Sequence, residues 1–425
     1  MEALPQFLFD AISTPALLVG FFTLLGLILQ KMPVTSIIQG TVKAILGFVI
    51  LQCGAEVLVK SLAVFGTLFE SAFGLTGIVP NNEAFCAILL KDFGFQISCV
   101  MFLGMFVNIL IARFTPLKFI FLTGHHILFM AALLVVVLHA NGLANPAIIT
   151  LGALLLGLSL SVFPALLQPA MRKVTGCDEF ALGHFGTLGY LTAAGIGKLT
   201  GRGSRSTEEF ELPKSLLFFR ESSVSIVVTM LPLFLIVACA VLQKQGPEKL
   251  AELLGTQQHF VVFCLMESIL FAAGIYIVLQ GVRLILGEIL PAFKGISEKL
   301  VPNARPALDC PLVFPYAPNA VILGFLCSFM GGLVGLGLCG CFHWAVILPG
   351  VIPHFFCGAT AGVFANALGG RRGCVCGAFV HGILITLVPI LLLSVFSGMG
   401  FPGTTFGDTD FSIVGWILAS ILGKL

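Results

Sequence analysis

Apolar runs long enough to cross a lipid bilayer recur along the whole chain. They begin near residues 15, 34, 97, 119, 147, 222, 259, 321, 374 and 410, and each approaches the roughly 20 residues that a helix needs to span the hydrocarbon. Shorter, interrupted apolar pieces lie around 61–92, 176–197, 282–320 and 346–368. Lipid offers no hydrogen bonds to an exposed backbone, so runs of this kind must satisfy their own polar groups as helices. Only 10% of the 425 residues are charged, against about 25% in a soluble domain, and so small a share cannot clothe a water-facing surface. The expectation is an all-α polytopic membrane protein, one integral unit over 1–425, with about eleven crossings and two re-entrant hairpins near 70–95 and 300–322.

The formal net charge is +2 and no basic stripe is present, which argues against nucleic acid as a partner. The basic residues Lys31, Arg113, Lys118, Arg172, Lys173, Arg371, Arg372 and Lys424, with Lys198, Arg202, Arg205, Lys214 and Arg220 in the loop 197–221, are expected on the cytoplasmic face. The N-terminus, acidic through Glu2 and Asp10, is then outside and the C-terminus inside. "MEALPQFLFDAISTP" lacks the basic start of a secretory signal. The closest cysteine pairs, Cys339/Cys341 and Cys374/Cys376, are spaced by one residue, whereas zinc ligands are usually two to four apart, so packing is the expected role and no metal is. No GxxxxGK phosphate loop or redox motif occurs, so neither ATP nor another cofactor is expected.

One stretch resists the simple helical reading. "PALDCPLVFPYAPNAVILGF" (306–325) places Asp309 and four prolines ahead of an apolar run. Irregular backbone survives at membrane depth only inside protein or beside a wet cavity, and an acid there is usually functional. "GLTGIVPNNEAF" (74–85) has the same character. The two are related by a faint internal repeat: Leu51-Gln52 recurs as Leu279-Gln280, an offset of 280 − 52 = 228, and that offset also lays Asn81 on Asp309 and His126 on His354. Duplicated halves with interrupted segments at equivalent places point to a transporter of inverted-repeat type, with its site at midplane. Asn81, Asn82, Glu83 and Asp309 would be the polar lining.

"FLTGHH" (121–126), "FALGHFG" (180–186), "LQGVRLILGEILPAFKGISEKLVPNARPALDC" (279–310), "FPYAPNAVILGF" (314–325) and "ILPGVIPHFFCGATAGVFANALGG" (347–370) follow one another in this order. Together they resemble the ascorbate-type enzyme IIC permeases of the bacterial phosphoenolpyruvate-dependent sugar phosphotransferase system, from about residue 15 to the end. The resemblance implies a homodimeric permease of the bacterial inner membrane, with a dimerising scaffold and a mobile core that carries the substrate in elevator fashion. It implies import of L-ascorbate or a related sugar or polyol, phosphorylated by a separate phospho-IIB protein that is itself charged by IIA. The substrate contacts it implies are Asn82, Glu83, His125, His184 and Asp309. In the family pattern glutamines follow both Gly-His motifs, whereas this chain has Phe129 and Met130 after the first and Phe185 after the second.

Each of these residues has a plainer role in competition. Asp309 is a candidate base for the sugar hydroxyl that accepts phosphate, or a cap for a hairpin helix. Asn82 and Glu83 follow "VP" where a helix can begin, so capping competes with sugar binding there too. His125 and His184 can each donate to one sugar oxygen and accept from another, or be satisfied by a neighbouring carbonyl; His126, His354 and His381 are further candidates. Lys43 is expected to snorkel, and Arg283 and Glu288 to pair with each other. An alternative for the whole chain is a proton- or ion-coupled carrier of the same fold that releases its substrate unmodified.

Overall fold

The structure is a computed structural model that describes residues 15–74, 77–209 and 222–423. Its helices are α1 (Pro15–Leu29), α2 (Val34–Phe73), α3 (Asn82–Phe114), α4 (Gly124–Ala140), α5 (Asn145–Thr175), α6 (Thr187–Thr200), α7 (Ser222–Leu254), α8 (Phe260–Leu300), α9 (Pro318–Cys341), α10 (Ala359–Leu387), α11 (Leu393–Gly398) and α12 (Thr409–Leu422). Among the described residues, 7 helices are long and apolar enough to cross a membrane. The protein is thus an all-α, multi-pass membrane protein. Glu2, Asp10, Lys214, Arg220 and Lys424 lie outside the described residues.

Among the described residues, five short extended pieces, which a purely helical reading does not anticipate, interrupt the helices. They are β1 (Gly77–Ile78), β2 (Phe119–Phe121), β3 (Ala181–Leu182), β4 (Arg305–Leu308) and β5 (Val346–Ile347). All pair in parallel, β1 with β5, and β4 between β2 and β3. Their cause is the accounting of backbone polar groups: an extended segment sunk among helices must find partners for its N–H and C=O groups, and strands from distant parts of the chain supply them.

The 228-residue offset organises these elements. It carries β1 from Gly77 to Arg305, the first residue of β4, and α2 (34–73) to 262–301, where α8 lies. The pairings then cross between halves: β1 of the first half joins β5 of the second, and β4 of the second joins β2 of the first. Equivalent residues do equivalent work, since Asn81 caps α3 through Ala84 N–H and Asp309 caps the 3₁₀ turn Cys310–Tyr316 through Cys310 N–H, both at 2.7 Å.

Packing is close where small residues permit it. A Cβ on Gly331 would meet the Phe379 carbonyl and one on Gly382 the Ser328 carbonyl, which is how α9 and α10 approach. Gly370 turns α10 back on itself with φ 57°, a conformation that favours glycine, and a Cβ there would also strike the Ser204 and Arg205 carbonyls. Along α2 and α8, Lys43 Nζ reaches Glu288 Oε1 at 3.1 Å. The expected Arg283–Glu288 pair is therefore not formed; Lys43, an interruption in an apolar face, takes the carboxylate across the helix pair, and Arg283 turns to a cavity. The thirteen cysteines are free thiols.

Candidate functional site

The site begins with β4. Ala307 pairs with Phe121 of β2 and with Ala181 of β3, and Leu308 pairs with Leu182. The ladder continues one residue further on both sides, through Leu122 N–H to the Ala307 carbonyl and Gly183 N–H to the Leu308 carbonyl. Parallel strands in this register end at a common level, so the residues just beyond them emerge together. These are Asp309 after β4, His184 after β3, and His125 in the first turn of α4 after β2. His125 Nε2 lies 3.4 Å from Asp309 Oδ2, and His184 Nε2 lies 4.0 Å from Asp309 Oδ1. Asp309 serves as the cap and faces the cavity at once, its side chain 35% exposed.

A second group arrives from β1. Because Asn81 makes the cap of α3, the next two residues are released from that duty. Asn82 Nδ2 donates to Asp408 Oδ2 at 3.0 Å, and its Oδ1 accepts from Gly407 N–H at 2.7 Å. Glu83 is buried and lines the same cavity as Asn82, His125, His184 and Asp309. Asn82, Glu83, His125, His184 and Asp309 therefore meet around one space of about 280 Å³, whereas Asn81, also expected in the lining, is taken up as the cap and does not border it. That is close to the lower end of the roughly 300–1,000 Å³ usual for small-molecule sites.

His126, Arg283 and Asp408 also line it. His126 Nδ1 accepts from Phe185 N–H at 3.4 Å, and its ring lies 3.8 Å from that of His184, centre to centre. Arg283 reaches in from α8 and is the cation of the lining. Asp408 is buried, and its Oδ1 accepts from the Cys357 thiol at 3.2 Å. Asp408 was not expected as a site residue, although "GDTD" (407–410) is a pair of acids in an apolar region and carries the signal for which intramembrane acids are noted. The neighbouring acid, Asp410, is structural. Its carboxylate accepts from Thr187 N–H and Leu188 N–H at 2.8 and 2.9 Å, capping α6.

His354 and His381 stand away from this space. Both Nδ1 atoms meet the Ser328 hydroxyl, at 2.9 and 3.2 Å, between α9 and α10. Where the resemblance implies glutamines after the two Gly-His motifs, this chain has the apolar side chains of Phe129, Met130 and Phe185. Phe185 is buried and stacks on Phe121 with centroids 5.2 Å apart, while Phe129 borders the cavity. The wall is apolar there, and the polar contacts concentrate on the imidazoles and carboxylates.

Three overlapping sets have donor atoms within 4.8 Å: His125, His126 and Asp309; His126, His184 and Asp408; His184, Asp309 and Cys310. Each contains a donor already engaged, since His126 Nδ1 accepts an amide and both Asp408 oxygens and Asp309 Oδ1 accept hydrogen bonds.

The family described as "PTS system sugar-specific permease component" matches residues 10–410. A protein of Mycoplasma pneumoniae named "Ascorbate-specific PTS system EIIC component" is 28% identical over 425 residues, a match that covers 88% of this chain and 64% of that protein. The chain thus spans just under two thirds of the relative's length.

Proposed function

This chain belongs to the family of PTS sugar-specific permease components, and on that premise we propose that it imports L-ascorbate or a related sugar or polyol. A separate phospho-IIB protein phosphorylates the substrate during or after translocation. The observation that carries this reading is the convergence of Asp309 with the histidines of both Gly-His motifs on one small cavity. Asn82, Glu83, His125, His184 and Asp309 are the substrate contacts in this reading. The name of the bacterial relative favours ascorbate, an anion at neutral pH that Arg283 would meet. The aromatic wall at Phe129 and Phe356 favours a substrate with one less polar edge.

In the proposed reaction the sugar hydroxyl attacks the phosphorus of phospho-IIB, the bond between phosphorus and the IIB side chain breaks, and Asp309 takes the hydroxyl proton. A carboxylate within 3.4 Å of His125 and 4.0 Å of His184 can pass that proton on. Positioning and proton acceptance are the contributions asked of this chain. Arg202 and Arg205, both exposed, are proposed to help dock IIB by charge. The remaining architecture is also a proposal: about eleven crossings in the bacterial cell membrane, hairpins near 70–95 and 300–322, a core that moves as a unit, and a homodimer. A row of exposed apolar side chains on α2, Val34, Ile38, Val42 and Leu46, suits lipid or a second subunit.

The test uses proteoliposomes holding the full chain, with IIA and phospho-IIB on the cytoplasmic side and labelled ascorbate outside. Sugar phosphate should accumulate inside, and Asp309→Asn should abolish it while the protein remains folded. Free sugar as the internal product, or wild-type phosphate yield from Asp309→Asn, would overturn the proposal.

A further inference from the structure

His184 presents two ring nitrogens to two different surroundings. Nε2 faces Asp309 and the cavity, while Nδ1 lies 2.8 Å from the Tyr190 hydroxyl. Tyr190 is fully buried, with Phe364 and His381 stacked near it at 5.9 and 6.1 Å between centroids and interplanar angles of 17° and 24°. Held this way, the phenol cannot turn to water. The sequence "GHFGTLGY" (183–190) makes the space: a Cβ at Gly186 would collide with the end of the Tyr190 ring, and one at Gly189 would meet His381 and the Thr409 hydroxyl. Two glycines are thus spent on admitting the tyrosine and the histidine stacked on it.

We propose that Tyr190 is a positioning residue that holds His184 in the tautomer with its proton on Nε2, making that atom a fixed donor to a sugar oxygen. The hydroxyl donates to Nδ1, and a neutral imidazole that accepts at one nitrogen carries its proton on the other. The opposite arrangement, with Nδ1–H donating to the phenol, would aim the Nε2 lone pair at the Asp309 carboxylate 4.0 Å away, where like meets like. The Cys357 thiol, which also approaches the phenol, gives its own proton to Asp408 and is a weak acceptor, so it does not draw the hydroxyl away from Nδ1. The tautomer is therefore set from both sides, by a donor behind the ring and an anion before it. Specificity follows: His184 selects a substrate with an acceptor oxygen at that point, and without Tyr190 it can offer either face.

This inference rests on the sugar-permease reading, and two measurements separate the two. The first needs no sugar. Magic-angle-spinning NMR of the full chain in lipid with [15N]histidine, with His184 assigned by difference from His184→Gln, should show protonated Nε2 and bare Nδ1. A protonated Nδ1 in the wild-type protein overturns the proposal. The second is IIB-dependent phosphorylation of ascorbate and of a hexitol by Tyr190→Phe in proteoliposomes. KM should rise about tenfold with kcat within twofold, because an orphaned Nδ1 lets the ring exchange tautomers at a cost near that of one buried hydrogen bond. A purely structural tyrosine would lower the amount of active protein and leave KM unchanged, which also overturns the proposal. If the wild-type protein handles neither sugar, the sugar reading falls, and the NMR result still decides the role of Tyr190.

Discussion

The bond between Asn82 and Asp408 joins α3 to the segment ahead of α12, 326 residues away along the chain, and its strength can be measured. Asn82→Ala removes two buried interactions, the 3.0 Å bond to Asp408 Oδ2 and the 2.7 Å bond from Gly407 N–H. Asp408 and Asn82 are 2% and 7% exposed, so neither orphaned partner finds water easily. A buried polar group left unpaired costs roughly 1–3 kcal/mol. Two such groups, one relieved in part by the adjoining cavity, give an expected loss of about 3 kcal/mol. In an Asp408→Ala background only the Gly407 N–H is orphaned by the same change, so the cost should fall to about 1.5 kcal/mol. The coupling is then about 1.5 kcal/mol, well above the roughly 0.5 kcal/mol within which independent sites add. Unfolding by SDS titration in mixed micelles, followed through the fluorescence of Trp344 and Trp416, measures all four proteins of the cycle. Additivity within that limit, or a loss below about 1 kcal/mol for Asn82→Ala, would refute the reasoning.

Two other perturbations test the frame around the site. Glu208 accepts from Asn319 N–H and Ala320 N–H at 3.1 and 3.0 Å and so caps α9; Glu208→Ala should cost about 1 kcal/mol in the same titration, and a change within error would show that water replaces the cap. Asp178 lies outside the membrane-spanning helices and bridges Arg172 and Arg305, at 2.9 and 2.6 Å. The bonds from Arg172 and then Gln168 hold its carboxyl below the usual carboxylate range. A depressed folded-state value means that Asp178 stabilises above the unfolded carboxylate value near pH 4 and loses that contribution as pH falls through the folded one. Melting curves of the wild-type protein and Asp178→Asn should therefore keep a constant separation above about pH 5 and converge below it; a separation that grows on acidification would contradict this.

What the sequence disclosed and what it concealed divide along physical lines. Membrane depth follows from hydropathy, and the prolines around Asp309 announce a break in regular helix, so the place of the carboxylate was legible before any fold was known. Asn82, Glu83 and Asp309 were legible as candidates because they are polar residues at helix breaks in an apolar setting, whereas His125 and His184 became candidates only through the family resemblance of the Gly-His motifs. The strands were not. A piece such as Ala181–Leu182 is two residues long, and its pairing with β4 depends on a partner 126 residues away, which no local pattern encodes. Asp408 carried the signal of an acid in an apolar region, but which of the two acids of 407–410 meets the cavity depends on Asn82 and Cys357 meeting Asp408. The cap expected at Asn82 or Glu83 is made instead by Asn81, which no local pattern singled out for that role.

The cross-pairing of the strands bears on how such a site can move. β1 hangs on β5 and β4 on β2, so each broken segment is held by the other half of the repeat and not by its own. A hairpin that swung open alone would strip those N–H and C=O groups of their partners at membrane depth, at several kcal/mol for each unsatisfied group. Displacing all five segments together breaks none of these ladders. Motion of the joined body is therefore far cheaper than motion of either tip. The boundary at which it would slide is the one where Arg283, on α8 beside α2, faces Asp309 and the histidines across the cavity. If the core moves as proposed, Arg283, which lines the cavity from α8, is the lining residue whose distance to Asp309 should change most over a transport cycle. The bond between Asn82 and Asp408, internal to the part proposed to move, should remain intact throughout.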